Sequence, residues 1–394
     1  MARPSRRLIR LAAAVLAGLL LLLALAVAAL LLFVDADRFR PRIEALASRE
    51  LGRSVALGRL HWDIGWRLGV ASQGGSVANA PGFDAAPLAS WQRLSFDLAL
   101  RPLLDRRVLI DGVSIDGLAL DLQRDASGAG NWNFPAGATG ETGGEQAGAQ
   151  IAVQSLTLKQ ARIRYRDAAS GADWRVESLD LALGIEPGKS LLPQALDNVG
   201  AAGRLFGGPL PDGGVQFAFD APRLDFGEGG QLSLPQFTAR LDNTRIEGRL
   251  DTGQAGSITG KVAATMPSLR AQLAVLGITA QQTRDPQALG PLRLSTQLNY
   301  AGGAVELTQF EAQLDDTRLQ GGIQLPALSP LALRFTLEAD AVDVDRYLEP
   351  EEAGGDPFQL PLAALESMDA RGVIHVHEAR FAGFTANDIA FTVE

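Results

Sequence analysis

Leu234-Pro-Gln-Phe-Thr-Ala-Arg-Leu-Asp-Asn-Thr-Arg-Ile-Glu-Gly248 returns as Leu307-Thr-Gln-Phe-Glu-Ala-Gln-Leu-Asp-Asp-Thr-Arg-Leu-Gln-Gly321. The offset is 307 − 234 = 73 residues, and nine of the fifteen positions are identical, too many for two unrelated hairpins. Each copy reads as strand, turn, strand. Side chains at i and i+2 of a strand share a face, and Asp and Asn tolerate the left-handed backbone of a tight turn. A repeat of this kind predicts modules stacked along one axis. Phe237 and Phe310 are then expected at equivalent positions on one apolar face. A weaker echo relates Val113–Gly128 to Leu156–Gly171.

The same period of two extends outward from the repeat. Leu94, Phe96, Leu98 and Leu100 alternate with Ser95, Asp97 and Ala99, and Leu118, Leu120 and Leu122 with Ala119 and Asp121. The alternation continues at Leu179/Leu181/Leu183, Val215/Phe217/Phe219, Leu292/Leu294/Thr296/Leu298 and Leu331/Leu333/Phe335/Leu337. Turn signals separate the runs: Ala80-Pro81-Gly82, Asp111-Gly112, Asp116-Gly117, Asp212-Gly213-Gly214 and Ala301-Gly302-Gly303. Antiparallel sheet wetted on one side gives this pattern. Three helices are expected: one over Phe39–Glu50 stopped by Gly52, one over Pro267–Leu276 and one over Pro361–Met368. On the first, Phe39, Ile43, Leu46 and Glu50 share a face; for the three apolar residues, packing on the first strands is the plainer reading, a membrane surface the other.

Helices so short cannot cover so many apolar strand faces. The expected fold is therefore mainly β: an elongated open groove, or incomplete barrel, of antiparallel strands with few short helices and one N-terminal transmembrane helix. Residues 35–134 form an N-terminal β module, 135–150 a Gly/Ala/Glu/Thr-rich flexible linker, and 151–394 a repetitive β region. The residues expected to line the groove are Leu94, Phe96, Leu98 and Leu120 in the first part. Further along they are Leu181, Phe217, Phe219 and Phe237, then Leu294, Phe310, Leu333 and Phe335.

The transmembrane helix is read from Leu11–Val34, 24 residues without a polar side chain. At about 1.5 Å per residue they span a hydrocarbon core. Arg3, Arg6, Arg7 and Arg10 precede the run and Asp35 and Asp37 follow it, which predicts a cytoplasmic N-terminus and the bulk of the chain across the membrane. Ala26-Val27-Ala28 resembles a signal-peptide cleavage site, but the apolar run outlasts the 7–15 residues of a signal core and continues past that point. The 394 residues carry a net charge of −9, with basic residues dispersed after the first ten, so nucleic acid is not an expected partner. The chain has no cysteine, which excludes disulfides and thiolate metal sites.

Catalytic chemistry finds little footing. His375 and His377 flank Val376 and would share a strand face, but no third metal ligand lies nearby in sequence, so solvent-facing histidines are expected. Asp343-Val-Asp345 fits a strand end before a helical turn better than a metal pair. Asp315-Asp316 recurs in the repeat as Asp242-Asn243, an unsuitable pattern for a catalytic carboxylate pair. No enzymatic activity, metal or cofactor is expected.

A set of segments, in order along the chain, resembles the AsmA family of Gram-negative envelope proteins. The first are Val34-Asp-Ala-Asp-Arg-Phe-Arg-Pro41, Leu51-Gly-Arg53, Ala78-Asn-Ala-Pro-Gly-Phe83, Leu109 to Asp121, and Asp125-Ala-Ser-Gly-Ala-Gly-Asn-Trp-Asn133. Pro267-Ser-Leu-Arg270, Thr283-Arg-Asp-Pro-Gln-Ala-Leu-Gly290, Leu314-Asp-Asp-Thr-Arg-Leu319 and Asp343-Val-Asp-Arg-Tyr-Leu348 complete it. The resemblance implies a single-pass anchor in the inner membrane and a periplasmic β-groove open along one side. Larger relatives are regarded as conduits that carry phospholipid toward the outer membrane, so membrane phospholipid is the expected partner. The alternative is an assembly or scaffolding factor for envelope proteins, which would bind at the sheet edge. The sequence ends at Ile389-Ala-Phe-Thr-Val-Glu394 inside an alternating pattern where family members continue, so a form truncated at its C-terminus is expected.

Overall fold

The computed structural model describes residues 35–64, 68–98, 110–134, 153–186, 193–208, 210–227, 230–275, 279–280, 282–328, 331–348, 350 and 369–393. The expected transmembrane helix over Leu11–Val34, the linker 135–150 and the helix Pro361–Met368 lie outside them. Among the described residues no helix is long and apolar enough to cross a membrane. Eighteen strands dominate the described residues, with two α-helices among them: α1, Arg40–Leu51, and α2, Leu269–Val275. The chain divides into two compact units: 35–116 with 130–134, and 117–129 with 153–393.

The first unit is an antiparallel meander. It consists of β1 (Val55–Ile64), β2 (Leu68–Val77), β3 (Ala89–Leu98) and β4 (Ile110–Asp116), each paired with the next. Asp111-Gly112, expected as a turn, instead lies inside β4. There buried Gly112 faces Asp97, where the register steps between Asp97 and Leu98. An Asp-Gly pair suits such a kink as well as a turn.

Helix α1 follows a 3₁₀ turn, Ala36–Phe39, and ends at Gly52, whose φ of 62° supplies the left-handed cap. The side it turns to the sheet is polar. Asp37 Oδ1 accepts from the Leu60 N–H (3.0 Å), Glu44 Oε1 from Leu57 (2.7 Å) and Ser48 Oγ from Val55 (2.9 Å). These side chains satisfy backbone donors along β1 that an edge strand would otherwise expose. Phe39, Ile43 and Leu46 consequently point away and are 46, 42 and 53% exposed. The expectation that they pack on the first strands is overturned: helical period locates an apolar face but does not say which way it points.

The second unit runs from β5 (Ala119–Arg124), β6 (Ser155–Asp167), β7 (Ala172–Glu186) and β8 (Ala195–Gly207) to β9 (Val215–Phe226) and β10 (Leu232–Leu241). It continues through β11 (Thr244–Thr252), β12 (Ile258–Met266), β13 (Leu292–Ala301) and β14 (Ala304–Leu314). The last four are β15 (Thr317–Leu328), β16 (Leu331–Asp343), β17 (Asp369–Phe381) and β18 (Phe384–Val393). Each strand pairs with its successor. Two pairs, β5–β6 and β16–β17, are parallel, which corrects the expectation of an all-antiparallel sheet. Alternation is the same in either direction, so the pattern could not reveal this. Parallel neighbours need a crossover of a dozen or more residues, and the connections 125–154 and 344–368 supply it.

The repeat is structural. β10 steps in register between Leu234 and Phe237, and β14 between Leu307 and Phe310. Phe237 then faces Gly248 and Phe310 faces Gly321. A Cβ on Gly248 would run into the Lys261 carbonyl, and one on Gly321 into that of Thr336, which explains glycine in both copies. The turns at Asp242 (φ 48°) and Asp315 (φ 52°) match as well. The weaker echo is also real: β5 and β6 pair at 162 − 119 = 43, the offset between Val113 and Leu156.

Candidate functional site

Cross-strand register in the second unit aligns one apolar residue on each of thirteen successive strands. The row begins Leu158, Leu181, Ala201, Phe219, Ala239 and Ile246. It continues through Ala264, Leu294, Ala312, Leu319, Ala339, Val376 and Ile389. Large and small residues largely alternate from Leu181 to Val376. Side chains directly opposite on neighbouring strands are about 4.5–5.5 Å apart, so the row is a continuous strip.

Parallel rows widen it. Leu234, Leu250, Gly260, Leu298, Leu307, Ile323, Phe335, Gly372 and Val393 form one. At the other end of the sheet Leu120, Ile163, Val176, Leu205 and Val215 form another. Phe219 and Phe237 stack on this face with ring centres 6.1 Å apart. The intervening positions belong to the opposite face and are mostly polar, as in Glu247, Ala263, Ser295, Glu311, Gln320, Glu338 and His375.

Exposure tells how the strip is covered. Ala339 (1%), Val376 (5%), Ala264 (7%) and Ala312 (8%) are hidden between larger neighbours. The larger residues Leu181, Phe219, Ile246, Leu294 and Leu319 remain only half-buried. A second layer packed on the strip would bury them completely. Helix α2 meets the sheet beside the β10–β11 turn, where the Thr244 hydroxyl donates to Gln272 Oε1 at 2.5 Å. Among the described residues no second layer buries the strip's larger side chains completely, and an apolar surface left this way marks a binding site.

A hollow of about 530 Å³ lies over the same strands, lined by Ala264, Leu294, Ala312, Leu319 and Ala339 of the central row itself. Its lining takes both sequence neighbours of each row residue, such as Arg293 and Ser295 around Leu294, and Arg318 and Gln320 around Leu319. Arg293, Arg318, Glu311 and Glu338 bring charges of both signs to its lining.

Nine of the twelve residues singled out from sequence fall on the apolar face of the second unit. Leu181, Phe219 and Leu294 are in the central row, Phe335 in the second and Leu120 in the third. Phe217 faces Gly203 and Leu241, and Phe237, Phe310 and Leu333 sit one pleat from these rows. Phe237 is buried under Phe219, and Phe310 is half-buried on the same face. The remaining three share a face of the first unit, in register with Leu60 and Ile115 (Leu94), Trp62 and Val113 (Phe96), and Ile110 (Leu98). Sequence reasoning missed the alanines and glycines of the rows, because small residues carry little hydrophobic signal; their position in the period of two was the available clue.

Polar motifs that are far apart in sequence converge at the second repeat's turn. Arg270 Nη2 donates to Thr283 Oγ1 (2.6 Å), and Arg346 bridges Asp285 and Asp316, both at 2.8 Å. Asp315 accepts from the Leu289 and Gly290 N–H groups and from the Tyr347 hydroxyl at 2.8 Å. The Gln287 N–H and then Arg346 hold the Asp285 carboxyl below its ordinary range. Burial and then Asp315 push the Tyr347 hydroxyl upward. Every group is satisfied by another, so the cluster braces loop 282–290 against the 3₁₀ turn Val344–Tyr347. Asp345 accepts from the Ala382 N–H at 2.9 Å, and Asp343 ends β16. His375 and His377 are exposed as expected, His377 Nδ1 lying 3.5 Å from Asp388.

The fold and this face define a β-rich protein with a long apolar strip. The AsmA family model matches residues 6–184. That stretch is similar to the AsmA family, in agreement with the resemblance its sequence segments carry. Comparison with curated proteins and with solved structures gives no match.

Proposed function

We propose that this chain is an inner-membrane-anchored envelope protein whose apolar strip binds phospholipid acyl chains and guides them across the periplasm without catalytic residues or cofactors. The observation that carries the reading is the thirteen-residue row, free of any polar side chain, whose larger members stay half-buried among the described residues. Exposing acyl methylenes to water costs about 0.8 kcal/mol each, on the order of 12 kcal/mol for a sixteen-carbon chain. A strip that replaces water at every strand removes that barrier along its length. At about 4.8 Å per strand, the row offers roughly 58 Å of path. The AsmA match supports the envelope setting, and the Arg3–Arg10 cluster before Leu11–Val34 supports a periplasmic location for the strands.

Charge placed in the strip tests this. Phe217→Asp and Leu333→Glu should abolish co-purifying phospholipid in native mass spectrometry and fail to complement a deletion strain, because an unpaired carboxylate beside lipid is costly. Gln216→Glu, on the polar face, should do neither. Retained lipid and function in the strip variants, at equal expression, would sink the reading. The assembly-factor alternative has its own observation: among the described residues β18 pairs only with β17, and Phe384 is 79% exposed. Strand addition there would survive strip charges and fail on Phe384→Pro.

A further inference from the structure

Helix α1 is amphipathic in the reverse of the usual sense. Its polar stripe, Asp37, Glu44 and Ser48, is spent on the backbone donors of β1, and its apolar stripe, Phe39, Ile43 and Leu46, is left facing outward. Three of the eight polar side chains from Asp37 to Glu50 are thus committed to β1, and three large apolar side chains are turned away from it. A position exposed by chance would not explain a stripe that keeps helical spacing over two turns while the opposite stripe is fully used.

Two observations identify the occupant. The 24-residue apolar run Leu11–Val34 ends immediately before Asp35, so the helix begins within a few residues of the point where that run would leave a bilayer. The exposed flank of the stripe also carries Arg38, Arg42 and Arg49, the last paired at 3.5 Å with Glu50 at the stripe's end, whereas Asp37 and Glu44 are turned to β1. An apolar stripe edged by guanidinium groups is what an interfacial helix presents to a bilayer containing anionic headgroups. We propose that α1 lies in the membrane surface, with Phe39, Ile43 and Leu46 among the upper acyl chains and Arg38, Arg42 and Arg49 at the phosphates. It would act as a foot that holds the first β-module against the bilayer. This rests on the anchor part of the proposed function and goes beyond it, because an anchor followed by a free linker would leave the module unoriented.

The rigid coupling of helix to sheet is the consequence. Gly52 closes α1, and Arg53 directly after it is buried, donating to the Asn133 carbonyl at 2.8 Å and packing 4.4 Å over the Phe134 ring. Together with the three bonds to β1, this fixes the stripe's direction relative to the sheet of the first unit. Membrane contact by α1 then sets how β1–β4 stand on the bilayer, which fits a protein that takes lipid from that surface.

The chain has no cysteine, so single-cysteine labelling is clean. The full chain would be reconstituted into vesicles of phosphatidylethanolamine and phosphatidylglycerol with an environment-sensitive fluorophore at Ile43→Cys, Leu46→Cys or Ala45→Cys. Ala45 is exposed on the same helix but lies off the stripe. The proposal expects the labels at 43 and 46 to be blue-shifted, quenched by lipid-borne nitroxide and shielded from aqueous iodide, and the label at 45 to show the opposite. Adding Arg42→Glu and Arg49→Glu should weaken the lipid quenching at 46 several-fold. Labels at 43 and 46 as open to iodide as the one at 45 would overturn it. Labels shielded from both quenchers would also overturn it, in favour of a protein on this face. Extraction with alkaline carbonate reports separately on the anchor: release of the chain would remove the anchor reading, while the quenching pattern still decides the helix.

Discussion

The two copies of the 73-residue repeat share a face and part company at their turns. Both keep the bulge, the phenylalanine, the opposing glycine and the aspartate in left-handed conformation. In the first copy Asp242 accepts from a single backbone donor, Gln216 N–H, and the neighbouring Thr244 is met by Gln272 of α2. In the second, Asp315 accepts from two backbone donors and a tyrosine, Asp316 holds Arg346, and Thr317 donates to the Ala341 carbonyl. What is repeated is the apolar strip; what varies is the bracing at its edge. The strip is therefore the element the architecture preserves, and the turns are where each module is fitted to its neighbours.

That comparison can be broken. Asp315→Ala removes an acceptor from three donors and should cost roughly 3 kcal/mol, and Asp242→Ala about 1 kcal/mol; equal losses in denaturant unfolding would mean that the turns do not differ as described. The opposing glycines should both resist a side chain. Gly248→Val and Gly321→Val each drive one into a facing carbonyl and should each cost at least about 2 kcal/mol, Gly321 the more because its φ of 147° favours glycine, and a neutral result in either copy would end the equivalence.

Acid should loosen the second turn selectively. Asp285 is held low by the Gln287 N–H and by Arg346. A depressed carboxylate contributes stability above its unfolded value, about 3.9, and loses it as pH falls through the lowered one. Amide exchange at Gln287 should therefore stay slow from neutral pH to about 4 and accelerate only below that, while loosening already near neutrality would contradict the assignment. The smallest effect belongs to the polar face: His375→Ala and His377→Ala should stay within about 0.5 kcal/mol of the parent and leave complementation intact.

Strands and their apolar face were legible because a period of two depends only on neighbours in the chain. Phe217, Leu294 and Phe335 could be assigned to a face from sequence for that reason. The row itself could not, since it depends on register, and its Ala201, Ala239, Ala264, Ala312 and Ala339 look neutral until Leu294 and Leu319 are seen beside them. The parallel pairs β5–β6 and β16–β17 were hidden because direction leaves no trace in alternation. The brace around Arg346 was present as separate motifs at Arg270, Thr283, Asp315 and Tyr347, and only folding brings them together. In α1 the polar spacing of Asp37, Glu44 and Ser48 was visible, but their use on β1 required the sheet edge to be in place.

The most direct measurement of the central claim is site-specific photo-crosslinking in living cells. A benzophenone side chain would replace Leu294 or Leu319 in the row, and Ser295 or Gln320 on the opposite face of the same strands. The strip predicts phospholipid adducts at Leu294 and Leu319 and none at Ser295 and Gln320. Adducts of equal yield on both faces, or protein adducts alone at Leu294 and Leu319, would contradict it.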